Sequence, residues 1–309
     1  MSQKHDITID YAIGFAILLI VIFHLYGYTG KGAGSQVYAF CQNVQIVIFI
    51  YLSGLLYVGK VHKSIKDKAI RLLVPFFSFY IIWGLIDIKN FIEFPLDEFK
   101  FGYWFVLVLF AIIAIYTLIE RLTSKYGLRH LHLIFYTFLT AYELLIPKGC
   151  SFNMLFSINM LWHYYPFFIL GTYNNKMQKW MSINYIPIFL VVFIISQYVY
   201  TVYDKRSIAP ICNISSLFLF LTSFKNNIRP FEIVFTKMSE YLMQIYLLHF
   251  LILELIYKHI SILSITNSYI LFILYLVLAF IIALGIIAIS MLLMKSKLLN
   301  LLLFGIRTK

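Results

Sequence analysis

The sequence predicts an all-α polytopic transmembrane bundle of about ten helices, and three observations predict it. Of the 309 residues, 62% are hydrophobic and only 12% charged, whereas soluble domains carry roughly half apolar and a quarter charged residues. The excess is gathered into runs such as Ile7 to Tyr28 and Leu271 to Met294, each close to the roughly 20 residues that carry a helix across the hydrocarbon core. The runs are continuous, where barrel strands would alternate apolar with polar residues. A soluble enzyme and an outer-membrane barrel are both excluded on these grounds.

The first run, 7–28, exceeds the roughly 7 to 15 apolar residues of a signal peptide and holds His24 near its end. It is therefore expected to be a retained helix. Further runs between charge clusters predict helices over 37–58, 71–88, 102–120, 130–147, 154–173, 183–203, 207–224, 239–257 and 268–294, all within one domain spanning 1–309. Lys and Arg collect in the linkers and at helix edges. With a cytoplasmic N-terminus, 18 of the 25 basic residues fall inside and 7 outside, which predicts two cytoplasmic termini by the positive-inside rule. The net charge of +12 is then accounted for by orientation in an inner, plasma membrane with anionic lipid on its cytoplasmic face. No nucleic-acid partner is needed. Cys41, Cys150 and Cys212 form no C-x-x-C pair and are expected to be packing residues, with no metal site.

Ionisable residues inside apolar helices cost about 2.5 to 3.5 kcal/mol at mid-membrane on insertion scales, so they mark sites or water-filled cavities. The candidates are Asp10 and His24 on the first helix, His132 and Glu143 on the fifth, His163 with Asn159 on the sixth, and His249 and Glu254 on the ninth. At about 100° per residue, positions 13 and 24 lie about 20° apart on the helix surface and roughly 16 Å apart along it, with Asp10 about 40° to the other side. His132, Tyr136 and Glu143 share a face, and Asn159 and His163 are i, i+4 neighbours. Each lone His has a competing account as an interhelical hydrogen-bonding residue. Glu254 and Lys258 have the spacing of an ion pair. The 30 Phe, 24 Tyr and 4 Trp suit lipid-facing and belt positions rather than a sugar platform.

The segment Ile9-Asp10-Tyr11-Ala12-Ile13-Gly14-Phe15-Ala16-Ile17-Leu18-Leu19-Ile20-Val21-Ile22-Phe23-His24 resembles the opening of the bacterial membrane acyltransferases of the acyltransferase-3 family, roughly L-D-x-L-R-G-I-A-I-x-x-V-x-x-x-H. Five further stretches agree in order. Phe49-Ile50-Tyr51-Leu52-Ser53-Gly54 is similar to F-F-x-x-S-G, and Lys68-Ala69-Ile70-Arg71-Leu72-Leu73-Val74-Pro75 to a basic R-L-L-x-P segment. Tyr103-Trp104-Phe105-Val106 is similar to W-F-L, Pro166-Phe167-Phe168-Ile169-Leu170-Gly171 to P-F-F-x-x-G, and Tyr246-Leu247-Leu248-His249 to a late Y-L-x-H. One departure stands out: Ile13 occupies the position of the family's Arg, eleven residues before His24.

The resemblance implies a membrane O-acyltransferase moving an acyl group, usually acetyl from acetyl-CoA, to a hydroxyl of a cell-surface polysaccharide or its lipid-linked precursor. His24 is the expected base or acyl carrier, since an imidazole titrates near neutral pH, with His249, His163 and Asp10 as expected partners. Lys68 and Arg71 match a basic pair attributed to the donor phosphates, and Ser53 and Trp104 stand in the neighbouring motifs expected to line the donor site. The absent Arg bears on donor binding in the family's usual way. Two other classes of function compete. A transporter or flippase of a lipid-linked or polar substrate also places polar residues at mid-membrane, and an inactive relative would serve as a scaffold.

Overall fold

The computed structural model describes residues 7–31, 35–57, 64–128, 130–147, 149–173, 186–202, 232–260 and 267–307. Among them all repetitive structure is helical. The helices are α1 (Ile7–Thr29), α2 (Gln36–Tyr57), α3 (Ile65–Ile86), α4 (Asn90–Leu96), α5 (Trp104–Tyr126), α6 (Leu131–Leu145), α7 (Ser151–Phe156), α8 (Ile158–Thr172), α9 (Ile186–Val202), α10 (Glu232–Glu240), α11 (Leu242–Ile260), α12 (Ser268–Leu293) and α13 (Lys297–Phe304). Five of them, α1, α2, α3, α5 and α12, are long and apolar enough to cross a membrane, or six spans if the bent pair α10–α11 counts as one. The chain is a multi-pass membrane protein. The expected helix over 207–224 lies outside the described residues, as does Cys212.

The chain gathers into two compact units. The first comprises Met1–Leu52 and Tyr173–Met291. Within it α1 packs on α10 and α11, and its Ala12, Ala16, Ile17, Val21 and Leu25 are buried. Small residues let the backbones approach closely, as usual between membrane helices: a Cβ on Gly14 would lie 2.7 Å from the Phe235 carbonyl oxygen. Near one end of α1, the Ser239 hydroxyl donates to Asp10 at 2.8 Å. Towards the other, the Tyr26 hydroxyl donates to the Ser268 carbonyl at 2.8 Å and the hydroxyls of Thr29 and Tyr275 are 2.7 Å apart. These bonds tie both ends of α1 to its neighbours.

The helix expected over 239–257 is α11, which starts at Leu242 and is preceded by the separate helix α10. α10 and α11 meet at an angle of 82° at Tyr241. α10 carries Glu232, Lys237 and Glu240, the last two joined at 2.6 Å, while Phe235 and Met238 are buried. It is an amphipathic helix lying along α1, and the apolar α11 departs from it.

The second unit comprises Ser53–Thr172 and Leu292–Lys309. α3 packs on α4, α5 and α13; α8 packs on α5, α6 and α7. α3 begins at Ile65 rather than at 71, because Ser64 caps it by accepting from the Lys66 amide at 3.2 Å, with Asp67 in the first turn. A cap and an acidic first turn start a helix irrespective of where its apolar run begins. α8 is shorter than the expected 154–173, since Ser157 adopts φ 50° and ψ 45° and separates it from α7.

Candidate functional site

His24 on α1 and His249 on α11 come into ring contact in the first unit, with centroids 5.3 Å apart. The Phe250 ring lies 4.5 Å from His24 and 4.0 Å from His249, and Phe23 flanks His24 at 5.1 Å. His249 is wholly buried, whereas His24 is half-buried. The Nδ1 of His249 is 3.0 Å from the Ile245 carbonyl oxygen, one turn back along α11. A carbonyl only accepts, so Nδ1 carries the proton and Nε2 presents a lone pair. That Nε2 is buried and meets no hydrogen-bond partner among the described residues. Leaving such an acceptor unsatisfied costs about 1–3 kcal/mol.

Asp10 is not brought to this pair. Fourteen residues of helix separate it from His24, about 21 Å of rise, and it is held by Ser239. Ile13, at the position of the family's Arg, is 7% exposed and packed.

Lys68, Arg71, Ser53, Trp104 and His163 belong to the second unit. Lys68 and Arg71 lie on the first two turns of α3. The Lys68 ammonium lies 5.4 Å from the Tyr57 ring centroid, and the Tyr57 hydroxyl is 2.8 Å from that of Thr117. Arg71 is exposed, and its backbone lies under Gly305, whose φ of +65° closes α13; a Cβ there would lie 2.5 Å from the Arg71 carbonyl oxygen. Ser53 is half-buried beside Gly54, where an added Cβ would collide with the Phe168 carbonyl. Trp104 opens α5, largely buried and stacked on Tyr164 at 5.4 Å, and His163 meets Tyr164 edge-on at 4.7 Å.

His132 also belongs to this unit, and both of its ring nitrogens are engaged. Nδ1 is 2.7 Å from the Tyr165 hydroxyl and Nε2 is 2.9 Å from Glu120, with the Tyr116 ring stacked on it at 5.2 Å. Glu143 is buried on the same helix. Glu254 is exposed on α11, and the side chain of its expected partner Lys258 lies outside the described residues.

Sequence reasoning passed over three charged residues that the fold engages. Glu120 interrupts the apolar run of α5, which is the signal that marks it. Glu98 accepts from the Asn159 amide at 2.6 Å. Lys100, 1% exposed, donates to the carbonyls of Asp97, at 2.5 Å, and Met154. Burial lowers the Lys100 pKa to about 8, against the opposing pull of Asp97 and Glu98. It remains mostly cationic at neutral pH.

A family model described as "Acyltransferase domain", that of the acyltransferase-3 family, matches residues 6–294. No curated protein and no solved structure matches the chain.

Proposed function

Since the chain belongs to the acyltransferase-3 family, and is thereby a membrane acyltransferase, we propose that it transfers an acyl group, acetyl in the first instance, from acyl-CoA to a hydroxyl of a cell-surface polysaccharide or lipid-linked glycan precursor in the inner membrane. The observation that carries this is the contact of His24 with His249, whose buried Nε2 is left with its lone pair unsatisfied. In the proposed reaction His24 removes the proton from the hydroxyl as its oxygen bonds to the acyl carbon, the C–S bond breaks and the departing CoA thiolate takes that proton; alternatively His24 first displaces the thiolate and carries the acyl group to the hydroxyl. His249 then accepts a hydrogen bond from the imidazolium N–H that results. Its own tautomer is already fixed by Ile245, so the pair is preorganised for charge that develops only during transfer.

The donor phosphates are assigned to Lys68 and Arg71, whose place on the capped start of α3 supports the choice. Ser53 and Trp104 are kept as donor-side residues by their motifs alone. The count of 18 inner against 7 outer basic residues supports cytoplasmic termini. That orientation puts α3's basic start on the cytoplasmic side and the turn before α5 on the outer side. The buried Ile13 favours a second possibility, an inactive scaffold.

The test is incubation of the purified protein in liposomes with radiolabelled acetyl-CoA and an extract of surface glycans. Label transferred to glycan, and lost in His24→Ala, is the expected result. Movement of glycan across the bilayer without donor would establish a transporter instead, and neither activity would leave the scaffold.

A further inference from the structure

α13 lies past residues 6–294, the stretch that the family model matches, and the proposed proton transfer makes no use of it. Ser296 caps its start by accepting from the Leu299 amide at 3.4 Å, and the helix packs on α3, with Asn300 and Phe304 buried. At about 100° per residue, the exposed Leu298, Leu299 and Leu302 fall on the opposite side. Lys295 and Lys297 stand at one end of this leucine face and Arg307 just past the other, all three exposed. Apolar on its open face and basic at its ends, α13 has the pattern of a helix lying in a membrane surface.

The far end of α13 is fixed against α3, within the second unit. The amides of Gly305 and Ile306 donate to the Leu301 and Asn300 carbonyls at 2.9 and 3.2 Å, closing the helix on a left-handed glycine. A Cβ on Gly305 would lie 2.6 Å from the Arg71 α-carbon, so with a bond of about 1.5 Å the two α-carbons are within about 4 Å of each other. Arg307 follows two residues later, at most about 7.6 Å further on. The α-carbons of Arg71 and Arg307 therefore lie within about 12 Å, a separation that two arginine side chains can span to meet at one anion. Both side chains are exposed, and neither makes an ion pair among the described residues, not even Arg71 with Asp67 one turn before it. No acidic residue follows Glu254 in the sequence, so α13 brings no countercharge of its own. Two neighbouring cations without a counterion repel each other, and the guanidinium fork matches the oxygens of a phosphate with paired hydrogen bonds.

We propose that Arg71 and Arg307 together form a binding site for a phosphate group at the membrane surface. Two kinds of molecule carry such a group there. One is the nucleotide part of an acyl donor, in which case the site rests on the proposed function and adds Arg307 to it. The other is the headgroup of an anionic lipid, in which case the site stands apart from that function.

Two binding measurements on the full chain test it, neither with an acyl group or an acceptor present. In the first, coenzyme A is titrated by calorimetry into the protein in phosphatidylcholine nanodiscs. In the second, the protein is held in detergent with equal phosphatidylglycerol and phosphatidylcholine, and native mass spectrometry counts the phosphatidylglycerol retained. Arg307→Ala is expected to weaken phosphate binding by about tenfold, the loss of a charge-assisted hydrogen bond, and Arg307→Lys to recover part of it. Lys295→Ala removes the same charge from the other end of α13 and is expected to change binding by less than about twofold. A loss confined to the coenzyme A measurement assigns the site to the donor, one confined to the lipid measurement assigns it to a headgroup, and a loss in both makes the two competitors for one site. No loss in either measurement, or an equal loss in Lys295→Ala, would overturn the site and leave acyl transfer at His24 standing. Arg307-dependent binding in a protein that transfers no acyl group would keep the site and remove the transfer.

Discussion

His132 and His249 are both histidines on apolar helices, and they differ in what their second nitrogen meets. His132 has Glu120 on one side and Tyr165 on the other, so its hydrogen-bonding capacity is filled by α5 and α8 and it serves as a clasp among three helices. His249 has one nitrogen tied to its own helix and the other buried without a partner, with the His24 ring beside it. A folded protein keeps buried polar groups satisfied with few exceptions, and each exception calls for an explanation. A filled histidine is stabilising in the resting state. One that is half filled, next to a second and more accessible histidine, costs stability until a further proton donor arrives.

The largest expected effect would break the comparison on the side of the pair. His24→Ala and His24→Gln should each reduce acyl transfer by about 10²- to 10⁴-fold, the range of general acid–base catalysis, in protein that inserts and purifies normally. Gln forms hydrogen bonds but takes up no proton near neutral pH. A Gln variant with most of its activity would make His24 another clasp, like His132. His249→Gln should fall between, losing roughly 10- to 100-fold in kcat, since it removes an interaction with the imidazolium worth about 1.5–3 kcal/mol; single-turnover kinetics with labelled acetyl-CoA measure it.

His132→Phe should invert that pattern. It leaves Glu120 and the Tyr165 hydroxyl without their partner, so thermal unfolding in detergent is expected to show a loss of about 1–3 kcal/mol, with turnover of the folded fraction unchanged. A drop in turnover without a drop in stability would place His132 in the chemistry.

The pair and the clasp were unequally legible in the sequence. The face of α1 carrying His24 followed from helical periodicity, and six ordered motifs led to the family. The pairing of His24 with His249 joins residues more than 220 positions apart, and the 82° bend between α10 and α11 has neither Pro nor Gly at Tyr241 to give notice of it. The turn at Lys100 and Phe101 was equally silent, because its left-handed backbone is imposed by Asp97, Met154 and Ser157 and not by a residue type that prefers it. The start of α3 was displaced for a related reason: Ser64 and Asp67 set it, whereas apolarity marks only where a helix enters lipid.

A smaller effect is expected at Arg71, which is exposed on α3. Arg71→Ala should raise the donor KM several-fold at low salt, about 1 kcal/mol, and the difference should shrink at high ionic strength because exposed charges are screened. A donor KM indifferent to both the substitution and the salt would remove the start of α3 from the donor site.

The smallest change is expected at Ile13, where the family's Arg is missing. The side chain is packed, and at the next residue the backbone of α10 closes on Gly14, so α1 shows no open space toward α10 for a guanidinium to enter. Ile13→Arg should therefore destabilise the protein, as burial of an unpaired charge does, while the donor KM of the folded fraction moves by no more than about twofold. A tenfold fall in donor KM would show that this face of α1 still looks onto the donor path, and that Ile13 weakens an existing site; an unchanged KM means that this chain holds its donor by the basic start of α3 without help from α1.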